Sequence, residues 1–132
     1  MKEAFTKTQV TIDSLILGDF AAGAAMITFG ALLGKCNLQQ LFFLVWLEVM
    51  LQALNEAILA DILKVTDMGG SMVVHVFGAY YGLAASYFFQ PERARSSNNL
   101  KTTHLSHSAA AIGSIFLWMF WPSFNGALAS GA

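Results

Sequence analysis

His75 is the side chain of this 132-residue chain best suited to chemistry. It stands near the middle of a stretch that opens at Asp67, passes two glycines and runs apolar to Phe89. A histidine inside a helix of membrane length is rare, because even its neutral ring needs a hydrogen-bond partner there. In steps of three and four residues, Ser71, His75, Gly78 and Gly82 share one helical face. That face is polar at the top, carries an imidazole in the middle and is small below, which suits the lining of a narrow path. A neutral imidazole would offer a small polar solute one donor and one acceptor. The plainer alternatives stay open at this point: an interhelical hydrogen bond for His75, a bond within its own helix to Ser71 one turn earlier, and close helix packing for the two glycines. Asp67 reads by default as a helix N-cap. Its second reading is a carboxylate at an outer mouth, stabilising a cation or holding backbone groups in a recruiting geometry.

A histidine and a carboxylate also serve general acid–base catalysis. No nucleophile elbow, metal-spaced cluster or phosphate loop accompanies them, so the chain reads as a non-enzyme without metal or cofactor. Cys36 is the one cysteine, which excludes an intrachain disulfide and a thiolate cluster. Net charge is -1, leaving no basic patch for nucleic acid.

Positioning these residues falls to long apolar helices. Hydrophobic residues make up 56% and charged residues 11% of the chain, against roughly 25% charged in an average soluble domain. The apolar residues gather into segments long enough to cross a bilayer, about 20 residues each. Four spans are predicted, at 13–34, 38–63, 69–89 and 108–130, in an all-α polytopic membrane protein. Residues 1–12 form a polar lead without the basic n-region of a signal peptide.

In the first span, Gly30 and Gly34 form a small-xxx-small pair for close helix approach. The second carries Glu48, Asn55 and Glu56, with Asp61 near its end. A carboxylate facing lipid would cost about 2.5–3.5 kcal/mol, so these groups are expected to face protein, water or the interface, or to be protonated. Residues 90–107 form the one polar linker, with Pro91, Arg93, Arg95, Lys101, His104 and His107. In the fourth span Trp118 and Trp121 fit an interfacial aromatic belt, and Pro122 is expected to end or kink the helix. Lys35 and the linker cations share one side, while Lys2, Lys7 and Lys64 share the other. The positive-inside rule then makes the linker cytoplasmic and puts both chain ends outside.

The stretch Asp67-Met-Gly-Gly-Ser-Met-Val-Val-His75-Val-Phe-Gly-Ala-Tyr resembles the signature of Rh glycoproteins in the ammonium transporter superfamily. Three further stretches fit the same family in order and spacing: Leu17-Gly-Asp-Phe20 with Phe29 to Lys35, then Asn55-Glu56, then Phe116 to Asn125. The resemblance covers nearly the whole chain. It implies a plasma-membrane protein, a homotrimer or a hetero-oligomer with related subunits, each protomer conducting ammonia through its own hydrophobic pore.

Residue by residue, His75 matches the first of two mid-pore histidines, Phe20 and Phe124 the outer phenylalanine gate, and Asp67 the carboxylate that organises the recruitment site. Ser71, Gly78, Gly82, Asn55 and Glu56 are expected to stand behind these residues or to pack the helices together. Met68, Val74 and Val76 depart from the commoner family residues. The family core has eleven or more spans, of which these four correspond to the third through sixth, and the second pore histidine lies in the other half. The implied function is an ammonium/ammonia channel. The alternative is a truncated, non-conducting membrane subunit with an assembly, regulatory or scaffold role.

Overall fold

Three of the four helices start with the same device. Thr11 accepts from the Ser14 amide at 3.3 Å while the Ser14 hydroxyl accepts from the Thr11 amide at 2.9 Å. Asn37 with Gln40, and Thr103 with Ser106, repeat this reciprocal pairing, which satisfies two backbone donors that a helix start leaves free. The helices so launched are α1 (Ile12–Leu32), α2 (Leu38–Ala57) and α4 (His104–Gly126). Helix α2 runs on through a π-helical turn, Ile58–Ile62. The remaining helix, α3 (Phe77–Phe89), is entered through a second π-helical turn, Ser71–Val76. These features come from a computed structural model that describes residues 9–90, 92, 96–127 and 129. No strand occurs among them.

Three helical units are long and apolar enough to cross a membrane: Ile12–Leu32, Leu38–Ile62 and Ser71–Phe89. Helix α4 has 23 residues, also enough to span, and is richer in Ser, His and Trp. Its boundaries differ from the predicted 108–130. His104 and His107 lie in its first turn rather than in the linker, because the Thr103–Ser106 cap starts the helix there. Pro122 does not end the helix, which continues four residues to Gly126. The linker residues Pro91, Arg93 and Arg95, the N-terminal Lys2 and Lys7, and Ser130 lie outside the described residues.

The fold's centre is the contact of α1 with the α3 unit. Phe20, Ala24, Thr28 and Leu32 recur every fourth residue on α1 and are buried. Val74, Gly78, Gly82 and Ser86 recur with the same spacing opposite them, so a stripe of mostly small residues on each helix lets the backbones close up. Gly78 is so near α1 that a β-carbon there would stand 2.7 Å from the Ala24 carbonyl oxygen. The predicted Gly30–Gly34 pair plays no such part within the chain. Gly30 has open space around it, and Gly34 lies past the helix end with φ +74° in the turn before α2.

Polar groups fasten the three helices. Thr28 bridges Glu48 and the Gly78 carbonyl. The Tyr81 hydroxyl donates to the Leu44 carbonyl at 3.0 Å. Lys35 Nζ donates to the Ala31 carbonyl and to Ser86 Oγ, placing a cation at the C-terminal end of α1 where the helix dipole favours it. Helix α4 stands apart: none of its described residues is buried. Its hold on the rest is confined to its C-terminal half, where Phe124 meets Phe20 and His75, Trp121 meets His75, and Asn125 lies against Gly69.

Candidate functional site: a histidine-bearing apolar cavity

The site begins with the turn that carries His75. Gly70 takes φ +69°, a left-handed conformation that its lack of a side chain permits, and a β-carbon there would also crowd Val74. Its carbonyl then receives both the Val74 amide at 2.9 Å and the His75 amide at 3.0 Å. The second of these spans five residues and is the π-type bond that sets where the imidazole emerges. Such π turns are frequent at functional sites.

Asp67 holds the start of this turn. Its Oδ1 accepts from the Ser71 amide at 2.8 Å and the Ser71 hydroxyl at 2.7 Å. Its Oδ2 accepts from the amides of Met72 at 2.7 Å and Val73 at 2.9 Å. Four donors therefore occupy the carboxylate, and the arrangement is a cap on the α3 unit. The Ser71 hydroxyl gives its proton to Asp67, and the Ser71–His75 hydrogen bond that the spacing allows is not seen among the described residues.

Burial pushes the Asp67 carboxyl up, but the Ser71 hydroxyl and the Val73, Met72 and Ser71 amides together outweigh it and hold it below the usual carboxylate range. A carboxyl so lowered contributes stability that is present above its unfolded value, about 3.9, and lost as pH falls through the folded value. Asp67→Asn keeps the shape but trades one acceptor oxygen for a donor. It is expected to lose about 1–2 kcal/mol, the upper range for an N-cap. It is also expected to remove that part of the acid sensitivity, as read by thermal melts of wild type and variant between pH 3 and pH 7 on the order of single pH steps.

The rings meet one turn and more below. Phe20 and Phe124 lie 5.1 Å apart between centroids, tilted by 34°. His75 sits 5.9 Å from Phe124 and 5.4 Å from Trp121, and Trp121 stacks on Phe124 at 5.4 Å. Beside them is an apolar cavity of about 480 Å³ lined by residues that include Gly23, Val74, His75, Leu117, Trp121 and Phe124. His75 Nε2 is buried and has no hydrogen-bond partner. The ring is thus not tied to another helix through that nitrogen.

The structure brings His75, Phe20 and Phe124 into one cluster, with Asp67 capping the turn that carries His75. It separates the others. Gly78 and Gly82 face α1 rather than this cavity, with a β-carbon on Gly82 3.0 Å from Thr28 Cα. Asn55 lines a different depression, with Met72 and Tyr80, and Glu56 accepts from Gln52 at 3.2 Å.

Trp121 belongs to the cluster, whereas its sequence surroundings placed it in an interfacial belt with Trp118. The signal was its spacing, three residues before Phe124 on one helical face. Trp118 remains exposed.

The sequence pattern of the Ammonium Transporter Family matches residues 1–132. The chain is 48% identical over 120 residues to the Homo sapiens protein named ammonium transporter Rh type B, covering 90% of this chain and 26% of that one. It is similar to the proteins of the same name from Sus scrofa, 47% over 119 residues, covering 89% of this chain and 26% of that protein. For Oryctolagus cuniculus the identity is 49% over 122 residues, covering 92% and 27%. The chain thus spans about a quarter of the length of these relatives. With the whole of its length matched, this helical membrane chain belongs to the Ammonium Transporter Family.

Proposed function

We propose that this chain forms one wall of a channel that conducts ammonia across the plasma membrane, within a full-length protein of Rh type. The observation that carries the reading is the unpartnered, buried His75 Nε2 at an apolar cavity beside the Phe20/Phe124 pair. A packing histidine would have that nitrogen engaged. A solute-relay histidine needs it free to accept from, or donate to, a passing molecule.

In this mechanism ammonium collects on the outer side near Phe20 and the turn capped by Asp67, and gives up its proton there. Ammonia passes between Phe20 and Phe124, exchanges hydrogen bonds with His75 and continues along the cavity. The apolar lining supports the selectivity, because a bare cation would lose its hydration without replacement. Asp67 acts by holding the turn, since its acceptor positions are already taken. The exposed aromatic and aliphatic faces of α2 and α4, with Phe42, Trp46, Phe116 and Trp118, fit lipid or further helices of a trimeric or mixed assembly.

The test is flux. The full-length protein in lipid vesicles, given an inward ammonium gradient, is expected to raise internal pH faster than empty vesicles. Phe124→Ala is expected to change that rate by about tenfold, the scale of about 1.4 kcal/mol at a constriction. A wild-type rate equal to that of empty vesicles would favour the non-conducting subunit.

A further inference from the structure

Glu48 is fully buried at the middle of α2, where α1, α2 and α3 meet. The Thr28 hydroxyl oxygen stands 2.5 Å from Glu48 Oε1 and 2.9 Å from the Gly78 carbonyl oxygen. Both neighbours are oxygens, and threonine has a single hydrogen to give. With Glu48 ionised, one of the two contacts would hold no hydrogen and set lone pairs against each other.

A proton on Oε1 supplies both contacts. Glu48 donates to Thr28 Oγ1, and Thr28 donates to the Gly78 carbonyl. The 2.5 Å separation sits at the short end for an O–H···O bond. Glu48 Oε2 has no partner, which is tolerable for the carbonyl oxygen of a neutral acid and costly for a carboxylate.

Among the described residues no cation lies against the carboxyl. Helix α1 presents Thr28, and α3 presents the Gly78 carbonyl and Tyr81, whose hydroxyl donates to the Leu44 carbonyl. On α2 itself Gln52 is neutral and donates to Glu56. Lys35 is engaged by Ala31 and Ser86.

We infer that Glu48 is a neutral carboxylic acid whose proton completes a relay from α2 through Thr28 to the Gly78 carbonyl, making it a positioning residue for His75. Gly78 lies one turn after His75 on the same helical unit, and Thr28 lies two turns after Phe20 on α1. The relay fixes the two helices that carry the ring cluster against each other. Only this positioning role rests on the transport reading; the proton does not.

Infrared absorption of the full-length protein in lipid vesicles tests the proton directly. The wild-type minus Glu48→Gln difference at neutral pH is expected to show loss of the carbonyl stretch of a protonated carboxylic acid. Loss of carboxylate bands instead overturns the inference. Should Glu48→Gln fail to fold, Thr28→Val keeps the shape and removes the acceptor, so the same carboxylic band must shift; an unshifted band overturns the relay.

Glutamine can still donate to Thr28, so Glu48→Gln is expected to retain ammonium-driven flux within about twofold, whereas Glu48→Ala loses about tenfold, the scale of breaking a buried hydrogen bond. Equal flux in the Gln and Ala variants would remove the positioning role. The infrared result decides the proton whether or not the protein conducts.

Discussion

His75→Asp in the full-length protein is expected to convert passage of the neutral solute into passage of the cation. The imidazole now meets the cavity with a nitrogen that no protein group engages, and its surroundings are the rings of Trp121 and Phe124 and the side chain of Val74. Such a lining offers ammonium nothing for its lost hydration. A carboxylate at the same place supplies a counter-charge. At a separation of ~4 Å and an effective dielectric constant of about 20, the attraction is about 4 kcal/mol. Desolvation of the carboxylate offsets part of it, so an increase in ammonium current of about tenfold or more over wild type is expected. The measurement is current across a planar bilayer or supported membrane, alongside internal pH change in vesicles. Unchanged current and unchanged pH response would mean that His75 only packs.

How much of this could be read from residues alone depended on whether local chemistry or distant partners decided each feature. The helices were legible because their causes are local: apolar runs of about membrane length, broken at polar turns. Their ends were less so. His104 and His107 look like linker residues until Thr103 and Ser106 are seen to start the helix just there. Pro122 reads as a stop, yet the helix continues past it. A proline removes one donor and the neighbouring turns can adapt, as membrane helices often do.

The cluster itself divides the same way. Asp67, Ser71 and His75 lie within nine residues, and their mutual placement follows from one capped turn. What sequence spacing hid was the π turn, which alters the angular position of every residue after it relative to a regular helix. Ser71, His75, Gly78 and Gly82 therefore share a face only on paper. In space His75 turns to α4, while Gly78 and Gly82 turn to α1.

Pairings between helices had no local signal. Nothing about Glu48 alone names Thr28, twenty residues earlier, as its partner. Family resemblance assigned Phe20 and Phe124 to one gate, and the two rings lie together although they come from opposite ends of the chain.

The helix pairing that carries the cluster makes the second large prediction, on three glycines that look alike in the sequence. A β-carbon on Gly78 would stand 2.7 Å from the Ala24 carbonyl oxygen and 3.2 Å from Ile27 Cβ. The nearer atom is backbone and cannot rotate away, so Gly78→Ala must push α3 off α1. Doing so also stretches the 2.9 Å bond from Thr28 to the Gly78 carbonyl. Overpacking of this kind costs about 1–3 kcal/mol, and loss of the bond adds to it. Gly82→Ala meets Thr28 Cα at 3.0 Å and Ala31 Cβ at 3.1 Å, a milder crowding relieved by a smaller shift. Gly30→Ala, on the same helix as Thr28, meets nothing within 4 Å; there the gain in helix propensity, roughly 0.5–1 kcal/mol, is expected to leave the protein unharmed or slightly more stable. Thermal unfolding of the three variants in detergent, followed by the fraction remaining monodisperse on size exclusion, should therefore rank Gly78→Ala lowest, Gly82→Ala next and Gly30→Ala level with wild type. If Gly78→Ala melts with Gly30→Ala, the close approach of α1 and α3 is not what holds these helices. His75 and Phe20 would then need some other framework to keep them together.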